Sequence, residues 1–178
     1  MRVYGAVRSG EDPTGYPSGV VLATVRHTGS LFFRGILLRA GFQLTPLRGE
    51  AKPPPLIFAH LYDTHMDDIF RWLEQFPTLV IPMRDPQECA DGWTRRGATF
   101  EHFEEMWRNV EVLEQFSPSF VSIDTDDREE RLSALARRLG RDLQTDWAPV
   151  NRSGKEYKRN FDASYLYDWP VIRDFYSR

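Results

Sequence analysis

The residues able to do chemistry in this chain fall in four short stretches. TVRHTGSLFFRG (24–35) follows the apolar run VVLAT (20–24) and opens a run with helical spacing. In it Gly29 permits close backbone approach, and Thr28 and Ser30 can donate hydroxyl bonds. The first helical amides, from about Ser30 onward, can face an anion. His27 can add charge or a directed hydrogen bond. The pattern G-x-x-x-x-G-K-[ST] is absent, with neither its lysine nor its magnesium-binding hydroxyl in register. The stretch therefore reads either as a differently built anion cradle or as a packed turn.

His60 ends the second stretch, PLIFAH (55–60). A general base needs near-neutral basicity and direct reach to the proton it takes; the alternative is a histidine that caps its strand through ordinary hydrogen bonds. His65 is the backup base. Arg84 follows the third, TLVIPM (78–83), where a guanidinium can grip phosphate in bidentate fashion or pair with Asp85 or Glu88. The fourth, NRSGKEYKRN (151–160), carries Arg152, Lys155 and Lys158. It reads as a lid that neutralises phosphates and reduces water access, or as a solvated basic surface.

Other residues have weaker claims. Asp63, His65, Asp67 and Asp68 include metal-ligating types, but acids at the start of a helix account for THMDD without a metal. Glu101, Glu104 and Glu105 read as the exposed face of a helix, with an alternative base among them. Trp107 fits a core stripe. Trp93 suits the core and an acceptor pocket equally, and Trp147 and Trp169 complete the set of candidate aromatic walls.

The elements that must position these groups follow from periodicity. VVLAT, PLIFA, TLVIPM and FVSI (120–123) are short apolar runs of the kind buried in a parallel sheet. Leu31, Phe32, Phe33, Ile36, Leu37 and Ala40 give helical spacing that stops at Gly41. Helices are also predicted from about Met66 to Phe76, after Pro86, and through Phe103, Met106, Trp107, Val110 and Leu113. The last long one carries Leu132, Leu135, Ala136 and Leu139 to Gly140, with an acidic start and a basic end that suit the helix dipole. Residues 43–55 read as an irregular connection. Strands alternating with helices predict an α/β fold with a central, mainly parallel sheet of about four or five strands. The strand ends before His27, His60, Arg84 and Asp124 then share one edge, where open parallel sheets place their ligands.

The chain has 178 residues and a formal net charge of −3. That length fits a single domain, 1–178, with 1–18 and 162–178 as candidate peripheral segments. The net charge disfavours broad nucleic-acid binding. Of 23 basic residues 20 are arginine, whose planar fork suits phosphate or sulfate. The single cysteine, Cys89, excludes an internal disulfide. MRVYGAVRSGEDP lacks the apolar core of a signal peptide and no apolar run reaches membrane-spanning length, so a cytoplasmic protein without a membrane partner is expected.

Taken together, these stretches resemble the sulfotransferase superfamily over roughly residues 20–160. VRHTGSLFF is similar to its 5'-phosphosulfate loop and PPPLIFAHLYD to the strand ending in its catalytic histidine. TLVIPMRDPQECADGW resembles its 3'-phosphate segment. FVSIDTDDREERLSALARRLG resembles a later strand and helix, and NRSGKEYK a shortened nucleotide-covering loop. The resemblance implies a P-loop-like three-layer fold and 3'-phosphoadenosine 5'-phosphosulfate (PAPS) as sulfuryl donor. Adenosine 3',5'-bisphosphate would be the product, and no metal would be obligatory. It places His60 as base and His27 where a Lys or Arg usually meets the phosphosulfate. Thr28, Gly29, Ser30 and Leu31 follow through the loop, Arg84 stands at the 3'-phosphate, and Arg152, Gly154 and Lys155 lie in the covering loop. Leu31 replaces a frequent hydroxyl residue and Gly92 an expected serine. The acceptor, a hydroxyl or amine compound, is not identified. A divergent magnesium-dependent kinase and a catalytically inactive module that binds nucleotide or a protein partner are the alternatives.

Overall fold

The computed structural model describes residues 19–44, 54–93, 99–145 and 162–177. The expectations placed on 1–18, Trp147, Arg152, Gly154, Lys155 and Lys158 lie outside the described residues. In chain order the first elements are β1 (Val20–Thr24), α1 (Ser30–Arg39), β2 (Gln43–Leu44), β3 (Pro55–His60), α2 (Met66–Gln75) and β4 (Leu79–Met83). They are followed by α3 (Pro86–Trp93), α4 (Phe100–Leu113), β5 (Ser119–Ser122), α5 (Arg128–Leu139) and α6 (Pro170–Tyr176). A 3-10 turn over Ser164–Asp168 leads into α6.

The five strands form one sheet in the order β2-β3-β1-β4-β5, and every described pairing is parallel. β1 and β4 are buried along their whole length. That is why both read as uninterrupted apolar runs: a strand covered on both faces has no solvent side to make polar. Pro82 within β4 lacks a ladder donor. The pairing of β4 with β1 covers only Leu79 and Val80, so Pro82 lies beyond it.

Successive strand residues feed two separate cores, as a period of two requires. Val21, Ala23, Ile81 and Met83 pack with α2, α3, α4 and α6. Val20, Leu22, Val80 and Val121 pack with α1 and α5. Helix stripes agree with the sequence periodicity: α4 buries Phe103, Met106, Trp107, Val110 and Leu113, and α5 buries Leu132, Leu135 and Leu139 before Gly140 ends it with φ 60°. Asp67 and Asp68 sit in the first turn of α2, where acids complement the helix dipole.

Three expectations change. Leu31, counted on the buried face of α1, is 62% exposed. It stands two residues, about 200°, round the helix from buried Phe33. Residues 43–44 add a short edge strand to the connection read as irregular. The tail is not peripheral: Ala163, Leu166, Val171, Ile172 and Phe175 are buried in the core beneath α3 and α4. Tyr167 Oη bonds Asp85, and Ala163 N–H donates to Gln87 Oε1 at 2.9 Å. Among the described residues no helix is long and apolar enough to cross a membrane.

Candidate functional site

The connections leaving β3, β1 and β4 set the site. α1 leaves β1 toward one face of the sheet, whereas α2 and α3 leave the flanking strands toward the other. A crevice outside the carboxyl ends of the strands is expected where neighbouring connections part in this way. The turn after β1 sits at that point.

Two residues of this turn have left-handed backbone, His27 at φ 67° and Gly29 at φ 86°. Glycine adopts that region freely, and histidine enters it more often than bulkier residues do. Gly29 caps α1, and its carbonyl accepts from Phe32 and Phe33 N–H at 3.0 and 3.2 Å. The amides of Ser30 and Leu31 precede those bonds, so the helix itself gives them no partner. Thr28 is fully buried, and its hydroxyl donates to the Val25 carbonyl at 2.7 Å. Its hydroxyl thus shapes the turn instead of facing a ligand. Leu31 points outward, as noted.

His27 and Gly92 are in contact. A Cβ built on Gly92 would lie 2.9 Å from His27 Cγ. The imidazole therefore occupies the space that a side chain at 92 would need. Arg84 reaches the same turn: its Nη1 donates to the His27 carbonyl at 3.2 Å. The rest of that guanidinium is held by Glu88, at 2.8 Å from Nε and 2.6 Å from Nη2, and by Asp124 at 3.8 Å. This geometry makes Arg84 a clamp between β4, α3 and the turn. Use as a 3'-phosphate anchor would require it to exchange two carboxylates for the ligand.

His60 belongs to a second group. It pairs with Thr24 in the β1–β3 register. Its Nδ1 lies 2.9 Å from the Thr24 hydroxyl, which itself donates to the Ala59 carbonyl at 3.3 Å. With the hydroxyl proton on the Ala59 carbonyl, Nδ1–H donates to Thr24; with it on Nδ1, the ring carries its proton on Nε2. The first arrangement leaves Nε2 with its lone pair. Burial lowers the pKa of His60 from 6.5; Asp63 opposes the shift, and Arg26 and Arg34 add to it. The shift favours the neutral imidazole at neutral pH.

Arg26 and Arg34 escaped the sequence reading, although both stand inside the opening stretch. The Arg26 guanidinium carbon is 4.1 Å from the Tyr62 ring centroid and 5.3 Å from that of Trp93; these two rings meet edge to face at 5.5 Å. Arg34 lies over Phe58 at 5.2 Å, and Phe58 in turn meets the His60 ring at 4.7 Å. Trp93 is a core residue whose Nε1 donates to the Thr99 carbonyl, yet its ring also helps seat Arg26. The only sequence signal for this pair was the placement of arginines on either side of a candidate anion turn.

The remaining candidates stand apart. His65 stands at the N-cap position of α2 without a side-chain capping bond, and Asp68 pairs with Arg71 at 3.4 Å. Among the described residues no group of three or more His, Cys, Asp and Glu is placed to hold a metal. Glu104 pairs with Arg108 at 2.6 Å on α4. Cys89 is fully buried, which pushes its thiol pKa well up. A cavity of about 550 Å³ opens at the far end of α1 beside Arg39 and Arg141, and one of about 310 Å³ beside Asp85, Asp91 and Asp162. Neither takes in His60 or the β1–α1 turn, so the convergence of chemical groups, not volume, marks the site. Comparison with protein-family models, curated proteins and solved structures finds no match.

Proposed function

We propose that the chain is a PAPS-dependent sulfotransferase-like enzyme that moves a sulfuryl group to a hydroxyl or amine acceptor, on a P-loop-like three-layer fold. The observation that carries this reading is the Thr24–His60 pair at the carboxyl ends of β1 and β3, with the glycine-capped start of α1 following β1. Two cores on opposite faces of the sheet support the three-layer description.

When bound, the donor supplies an activated sulfur. His60 Nε2 takes the acceptor proton as the acceptor oxygen or nitrogen bonds to that sulfur. The bond from sulfur to the bridging oxygen breaks, and its electron pair stays on the 5'-phosphate of adenosine 3',5'-bisphosphate. The amides of Ser30 and Leu31, with the helix dipole behind them, stabilise the charge that builds there. His27 contributes through the shape of the turn, which Arg84 fixes. Arg152, Gly154 and Lys155 cover the nucleotide on the resemblance alone.

Calorimetric titration with adenosine 3',5'-bisphosphate, without magnesium, tests the binding half of the reading. Acceptor-dependent release of that product from PAPS tests turnover, which His60→Gln should slow by about 10²–10⁴-fold. No saturable binding between pH 6 and 8 at low salt would overturn the proposal. The engagement of Arg84 with Glu88 and of Thr28 with Val25 favours a second reading, an inactive nucleotide- or protein-binding module. Equal product release by wild type and His60→Gln, at background level, would select it.

A further inference from the structure

Arg26 and Arg34 are partly buried, and neither donates to a carboxylate or a carbonyl among the described residues. Arg84 and Arg131, also partly buried, are engaged by carboxylates: Arg84 by Glu88 and Asp124, Arg131 by Asp127 at 2.6 Å. Aromatic rings support Arg26 and Arg34 through their faces instead. Stacking of that kind holds a guanidinium plane in place while leaving its N–H edge directed elsewhere. Both positive charges act on His60, and Asp63 is the carboxylate that opposes them there. A partly desolvated cation with no carboxylate on it among the described residues is unfavourable, and two flanking one imidazole are more so. A ligand that brings negative charge removes the cost.

We propose that the acceptor side of this cleft receives an anionic compound, whose carboxylate, phosphate or sulfate group is gripped by the N–H edges of Arg26 and Arg34 beside His60. The reaction of a neighbouring hydroxyl or amine with His60 rests on the sulfuryl-transfer reading; the anion grip does not. Rigid bidentate recognition by arginine selects planar or tetrahedral oxyanions over a neutral hydroxyl compound. Burial favours the unprotonated His60, and the same charges add to it; that is the state a base must hold before the acceptor arrives.

The test uses the full chain and two probes. Inorganic phosphate is titrated while the His60 ring resonances are followed by NMR, with and without adenosine 3',5'-bisphosphate. The affinity for the bisphosphate is measured separately by calorimetry. Phosphate should shift the His60 signals whether or not bisphosphate is present. Arg26→Gln with Arg34→Gln should weaken phosphate at least tenfold and leave bisphosphate binding within twofold. The double substitution should also raise the His60 pKa, a readout independent of any ligand, and unchanged thermal melting identifies a folded variant. Arg26→Lys with Arg34→Lys, which keeps charge and bulk, should retain part of the phosphate affinity. The proposal falls if phosphate leaves His60 unmoved, if the glutamine variant binds phosphate as wild type does, or if it loses bisphosphate and phosphate equally. Arginine-dependent phosphate binding without any bisphosphate binding sinks the sulfotransferase reading and leaves the anion subsite standing.

Discussion

Replacing Gly92 with Ala tests the tightest contact in the site. The added Cβ would lie 2.9 Å from His27 Cγ and 3.1 Å from Cδ2 and Nδ1, well inside the roughly 3.5–4.0 Å at which carbon atoms rest. Cγ is the root of the ring, and Arg84 holds the carbonyl of the same residue. Relief therefore needs the whole imidazole to swing out or α3 to shift. Overpacking of this kind costs about 1–3 kcal/mol. Against it stands the helix preference for Ala over Gly, about 0.5–1 kcal/mol in a helix interior and less at Gly92, next to the last residue of α3. The net expectation is a loss of about 1–2 kcal/mol, or a Tm lower by about 2–8 °C for a chain of this size. Removing the ring should reverse the sign. His27→Gly also relieves the φ of 67°, and in that background Gly92→Ala should be neutral or stabilising by up to about 0.5 kcal/mol. Urea denaturation of the four variants, followed by tryptophan fluorescence, yields their coupling energy, expected at about 1–2.5 kcal/mol. Independent sites add to within about 0.3–0.5 kcal/mol. Equal destabilisation by Gly92→Ala in both backgrounds would refute the claim that Gly92 makes room for His27.

Stability should depend on pH through His60. Its pKa is lowered in the folded chain, so the unfolded chain binds the proton first as pH falls. The associated stability is present above about pH 7 and declines as pH drops through 6.5 toward the folded-state value; His60→Gln should flatten that part of a urea-stability profile. Gly29→Ala, at φ 86° and with its Cβ 3.3 Å from Ile123 Cδ1, should cost about 1–2 kcal/mol. Gly35→Ala in the same helix, where the nearest atom is Arg39 Nη1 at 3.5 Å, should stabilise by about 0.5–1 kcal/mol, and equal effects of the two would contradict the account of the turn. Tyr167→Phe removes the bond to Asp85 and should cost about 1–2 kcal/mol. Faster hydrogen exchange over 163–176 than in β1 is the expected signature, and unchanged exchange there would deny the tail its role in holding the β4–α3 corner.

Burial made most of the fold legible. A strand covered on both faces is apolar at every position, as VVLAT and LVIPM are, and a helix facing one core repeats its apolar residues, as α4 does from Phe103 to Leu113. Glycine marked Gly29 and Gly140 for a related reason, since both stand at helix ends with positive φ. The site was less legible because its contacts join residues far apart in the chain. Nothing local to Arg84 shows that Asp124 comes within 3.8 Å, and nothing local to Arg26 shows that Tyr62 and Trp93 form its seat. Leu31 misled because helical spacing alone does not say which way the first turn faces.

The histidine at 27 and the glycine at 92 are linked structurally. A serine at 92 would place its Cβ against the root of the His27 ring, so the imidazole and the missing side chain require each other. The turn has no lysine, while two guanidiniums act on His60 at the neighbouring strand end. On the proposed sulfuryl-transfer reading, positive charge then stands where an acceptor would enter and not where a leaving group would sit. On that arrangement the helix amides of Ser30 and Leu31 must carry most of the leaving-group stabilisation. Loss of their geometry in Gly29→Ala should then depress turnover more than donor binding, because charge on the leaving phosphate grows only as the sulfur–oxygen bond breaks.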